Sequence, residues 1–106
     1  MSYDGILYVL KNDETYCPNC EELRSIWLQH NLSKKIELKV VDWKDRSEVI
    51  QAFGEKGCPK YQILNDDRVS GIEVKEHNKN RYLSSVYDIS AWWNKKYRTP
   101  VRASKD

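Results

Sequence analysis

The sequence predicts an α/β domain. Three observations carry this: a continuous apolar run near the N-terminus, an alternating apolar stretch some thirty residues on, and helix-period stripes after each of them. The first, Ile6-Leu7-Tyr8-Val9-Leu10, is rich in strand formers and reads as a central strand buried on both faces. After a polar loop, Cys20, Leu23, Ile26 and Trp27 recur at helical spacing, with Glu21 and Glu22 in the first turn where the helix dipole favours acids. This helix should end near His30 and Asn31. Ile36, Leu38 and Val40 alternate with Glu37 and Lys39, predicting a second strand that runs into Val41 and Asp42. Val49, Ile50 and Phe53 mark one face of a short helix stopped by Gly54 and Gly57.

The second half predicts ββα. Tyr61 to Leu64 and Arg68 to Ile72, joined by Asn65-Asp66-Asp67, read as an antiparallel hairpin in which Gly71 marks a bulge. Residues 74–82 are polar and fit either a loop or a strand extension with its own turn around Asn78 to Asn80. Ser85-Val86-Tyr87-Asp88 has a capping pattern, and Val86, Ile89, Trp93 and Tyr97 form one stripe of a last helix before Pro100.

With 106 residues and 40% apolar content, the chain is expected to form one domain over residues 1–106, with a basic tail from about residue 98 frayed. No apolar run approaches the roughly 20 residues of a membrane span, and no basic-then-apolar leader opens the chain, so a cytoplasmic protein without a membrane partner is expected. Net charge is +2, from 18 basic and 16 acidic residues mixed along the chain, which argues against nucleic acid as a partner. The three cysteines do not make a secreted disulfide scaffold.

Two of those cysteines form the motif Tyr16-Cys17-Pro18-Asn19-Cys20, between the first strand and the first helix. Residues i and i+3 share a helix face, within the Cα separation of about 4.4–6.8 Å that a disulfide needs. At the helix start Cys17 meets unpaired N–H groups and the positive end of the dipole, which favour thiolate and make it the candidate nucleophile. Cys20, one turn further in, is the candidate resolving thiol. Pro18 suits the first helical position, where its missing N–H costs nothing. Asp13, Glu14, Glu21 and Glu22 surround the pair, and like charge works against a thiolate.

The order βαβαββα, with C-P-x-C after the first strand and Gly57-Cys58-Pro59-Lys60-Tyr61-Gln62-Ile63-Leu64 opening the third, resembles the glutaredoxins, the small branch of the thioredoxin fold. The resemblance spans roughly residues 5–97. It implies a central four-stranded mixed sheet flanked by about three helices, a cis-proline at Pro59 beside the dithiol, and a monomer that binds no cofactor. It further implies a thiol-disulfide oxidoreductase in which Cys17 and Cys20 reduce a protein disulfide or mixed disulfide, ribonucleotide reductase being a familiar client of the family. Tyr16, Pro18, Asn19, Cys58 and Pro59 would shape the substrate groove with Tyr61, and Lys11 resembles the lysine many relatives carry before the active-site loop.

Electrons would come from glutathione or from a thioredoxin-reductase-type flavoprotein. Gly71-Ile72-Glu73 stands where relatives commonly have a Gly-Gly pair that grips glutathione, which favours the flavoprotein. Cys58 stands where they usually have threonine, valine or isoleucine, as a third redox partner, a glutathionylation point or a small buried apolar side chain. Two other classes of function stay open. Cys17, Cys20 and Cys58 with a fourth ligand would suit zinc or an iron-sulfur cluster. A redox-inactive binding module would use aromatic side chains: Trp27 and Trp93 read as core, while Trp43, Trp92, Tyr16 and Tyr61 read as partly exposed.

Overall fold

A computed structural model of the chain describes residues 3–11, 17–42 and 44–101. Within them the elements run β1 (Gly5–Leu10), α1 (Pro18–Gln29), β2 (Ile36–Val41), α2 (Ser47–Phe53), β3 (Lys60–Ile63), β4 (Lys75–His77), β5 (Asn80–Leu83) and α3 (Val86–Tyr97), with a 3-10 turn at Leu32–Lys34. The strands form one mixed sheet in the order β2-β1-β3-β5-β4. β1 and β2 are parallel, with Leu7 opposite Leu38; β3 is antiparallel to β1, β5 to β3 and β4 to β5.

The alternation of side chains across the sheet builds two cores. Leu7 and Val9 of β1, Ile36 of β2, Tyr61 and Ile63 of β3 and Leu83 of β5 pack with Cys20 and Leu23 of α1 and with Val86, Ile89, Trp92 and Trp93 of α3. Tyr8 and Tyr82 join Val41 and the α2 residues Val49 and Phe53 in the second core. Edge-to-face ring pairs anchor both: Tyr61 and Trp93 with centroids 5.6 Å apart, Tyr8 and Phe53 at 5.1 Å. Gly5 is required by this packing, because a β-carbon there would run into the Tyr61 ring.

The structure corrects the expected four-stranded sheet to five strands among the described residues. Residues 68–72 are not the partner strand of β3; β5 is. Side chains claim the preceding segment instead: Arg81 donates to the carbonyls of Asn65 (2.6 Å) and Asp67 (2.7 Å), and Lys96 pairs with the Asp67 carboxylate at 2.5 Å. Gly71, at φ 86°, sits in a turn closed by Ile72 N–H to the Val69 carbonyl rather than in a bulge. The hairpin lies further on, between β4 and β5, where Asn78 and Lys79 both take positive φ.

Helix limits follow the expected punctuation. Gly54 ends α2 in the left-handed region at φ 72°, and the Ser85 side chain accepts the Asp88 N–H at 3.4 Å to cap α3. Trp92 and Tyr61 are buried rather than partly exposed, and Thr99 is buried where fraying was expected. Arg98 N–H still bonds the Asn94 carbonyl, and Asn94 Nδ2 donates to that of Thr99. Tyr16, Trp43, Asp13, Glu14 and the end of the tail, 102–106, lie outside the described residues.

Candidate redox site

The site forms where β1 hands over to α1. Beyond Leu10, the Lys11 N–H still bonds the Val41 carbonyl at 2.9 Å, and the Lys11 side chain is exposed. Cys17 is the N-cap of α1 in extended conformation, Pro18 is the first helical residue, and Glu21 N–H closes the first helical bond onto the Cys17 carbonyl at 3.0 Å. Cys17 Sγ takes the capping role that a serine or aspartate oxygen usually fills: it accepts the Cys20 backbone N–H at 3.2 Å. Cys17 and Cys20 are joined in a disulfide, their Cα atoms 5.2 Å apart. Cys20 is 1% exposed and Cys17 9%, so Cys17 is the more accessible of the two. Pro18 is exposed and Asn19 half-buried beside it.

The loop from α2 to β3 closes the site from the other side. The Cys58–Pro59 peptide bond is cis, Pro59 is buried, and the Cys58 carbonyl oxygen lies 4.0 Å from Cys17 Sγ. Cys58 is a half-buried free thiol packed against both cores. Burial pushes this thiol up from its ordinary value, partly offset by the positive charges of Lys60 and Arg46. Tyr61 does not line a groove: it is 1% exposed, its ring covers Gly5, and burial raises its hydroxyl.

Two residues of this region escaped the sequence reading. Lys60 is 3% exposed, and its ammonium donates to the Gly57 carbonyl at 2.7 Å and pairs with Glu55 at 3.4 Å. Glu55 in turn accepts the Tyr82 hydroxyl at 2.9 Å and pairs with Lys75 at 3.1 Å. Once β3 is seen to be interior the reason is plain: a lysine at the head of such a strand has no solvent to reach, so it must carry partners with it. Among the described residues no group of three His, Cys, Asp or Glu side chains is gathered to hold a metal ion. None of the described helices is long and apolar enough to cross a membrane. A cavity of about 330 Å³ between the Ser70–Ile72 turn and the outer face of α3 shares no lining residue with the dithiol.

Fold and site together define an α/β protein with a disulfide at the head of its first helix. The chain belongs to the family described as a protein of unknown function, DUF3088, whose model matches residues 9–101 and so spans the dithiol and the Cys58–Pro59 loop. No curated protein and no solved structure matches it.

Proposed function

We propose that this protein is a glutaredoxin-like thiol-disulfide oxidoreductase that reduces protein disulfides or mixed disulfides. The observation that carries the reading is the Cys17 sulfur at the N-cap of α1, accepting a backbone N–H and bonded to Cys20 one turn along. In the reduced protein the same N–H and the helix dipole favour the Cys17 thiolate. That thiolate attacks one sulfur of the substrate disulfide, forming a mixed disulfide and releasing a thiolate that takes a proton from water. Cys20 then loses its proton and attacks Cys17 Sγ, the mixed disulfide breaks, and the second substrate thiol leaves. Two electrons pass from the dithiol to the substrate, and the protein is left with the Cys17–Cys20 disulfide.

The thioredoxin-like fold belongs to this proposal. The mixed order β2-β1-β3-β5, with β2 parallel to β1 and β4 added beyond β5, is what supports it. On this reading the protein is a cytoplasmic monomer without a bound cofactor, re-reduced by glutathione or by a flavoprotein reductase. A coupled assay with each donor, using wild type, Cys17→Ser, Cys20→Ser and Cys58→Ser, tests it. Cys17→Ser should abolish turnover with either donor; loss in Cys20→Ser as well marks protein-disulfide reduction. Turnover that survives Cys17→Ser would overturn the proposal.

A further inference from the structure

We propose that Lys60 is a positioning residue for exchange at Cys17, its buried ammonium holding the loop so that the Cys58 carbonyl stays beside the Cys17 sulfur. This rests on the oxidoreductase reading and adds to it the element that keeps the partner's side of the site in place. Burying an ammonium is costly unless it is bonded and paired. Both of its partners named above come from the same loop, Gly57 by its carbonyl and Glu55 by its carboxylate. The Gly57 carbonyl belongs to the peptide plane whose N–H is that of Cys58, so gripping it fixes the backbone immediately before the carbonyl that faces Cys17.

The grip has a rigid base. Lys60 lies in β3 opposite Tyr8 of β1, and Glu55 is held from β5 by the Tyr82 hydroxyl and from β4 by Lys75. Arg46 adds an outer tie, donating to the Lys56 carbonyl at 3.1 Å. Thiol exchange needs three sulfurs nearly in line, so a substrate chain that settles along the Cys58 backbone depends on where that backbone is held. A small disulfide, with no chain to settle, depends on it far less.

The test uses the full chain and two readouts. In the oxidised protein Cys58 is the free thiol, so its labelling by iodoacetamide reports how firmly the loop is held, whatever the protein's activity. Lys60→Met also removes a cation that favours the Cys58 thiolate, so labelling is compared as the plateau rate at high pH, where the thiol is ionised in both proteins. That rate should rise roughly tenfold, the scale of losing a charged hydrogen bond. Glu55→Gln, an isosteric change at a residue 40% exposed by side chain, weakens the same grip and should act in the same direction, with circular dichroism checking that the variant folds. Lys96→Met, which removes an ion pair to Asp67 that shares no residue with the Glu55–Lys60 tie, should leave labelling unchanged.

In turnover, Glu55→Gln and Lys60→Met should slow reduction of a disulfide-linked peptide more than that of hydroxyethyl disulfide. Labelling at the wild-type rate in folded Glu55→Gln and Lys60→Met overturns the inference, and so does an equal loss on the two substrates. A wild type that reduces neither substrate defeats the oxidoreductase reading, and the labelling ratio then still decides whether Lys60 holds the loop.

Discussion

Cys17 and Cys58 carry the same side chain in opposite surroundings. The Cys17 sulfur sits at a helix head and receives an N–H; Cys58 is wedged between two apolar cores, and its burial outweighs the two nearby cations. A thiol pushed up in this way is mostly protonated at neutral pH, and the thiolate is the reacting form. Iodoacetamide at pH 7 should therefore label Cys58 in the oxidised wild type about tenfold more slowly than free cysteine, with the gap narrowing as pH rises. Labelling as fast as free cysteine at pH 7 would show the burial to be wrong. The positions of all three cysteines were legible in the sequence, because C-P-x-C and Cys58-Pro59 are local patterns. Lys60 and Glu55 were not, because a lysine in sequence reads as solvated until the strand that holds it is seen to be interior.

Among the elements, those with a strong period or a cap were legible: β1, α1, β2, α2 and α3 fall where apolar spacing and Ser85 placed them. The β4–β5 hairpin was not, since all three residues of β4 are exposed and carry no alternation. Its turn, around Asn78 to Asn80, was legible only as one of two readings of residues 74–82. Asn78 and Lys79 hold φ 50° and 66°, the two positive values of a type I′ turn, yet the usual signal is Asn-Gly. Lysine pays a steric cost in that region which glycine avoids. Lys79→Gly should thus raise stability by roughly 0.5–1 kcal/mol in urea unfolding, with an unchanged m-value. A loss of stability would mean that the turn is not of this type. The apolar residues of 68–72 misled in the other direction: Val69 and Ile72 pack against the α1–α3 core from a loop, so apolar character alone did not make a strand.

At the scale of the molecule, one carboxylate joins four parts of the fold. Glu55 follows α2, pairs with Lys60 of β3 and Lys75 of β4, and accepts the hydroxyl of Tyr82 from β5. Burial alone would raise its pKa, but the hydrogen bonds from Lys75 and Tyr82, with the charges of Lys60 and Lys75, outweigh it and hold the carboxyl below its ordinary 4.5. The folded protein therefore binds this proton less readily than the unfolded chain does. Its contribution to stability is present in full above pH 4.5 and is lost as pH falls below 4.5 through the folded value. Other carboxylates titrate in the same range, so the difference between two proteins isolates this one. The thermal midpoint of the wild type should exceed that of Glu55→Gln at pH 7, and the gap should shrink steadily below pH 4.5, because a protonated Glu55 and a glutamine are both neutral. The same acidification should speed Cys58 labelling relative to free cysteine in the wild type but not in Glu55→Gln, since only the wild type has a charged tie to lose. A midpoint gap that stays constant down to pH 3 would show that the Glu55 charge does not join these strands.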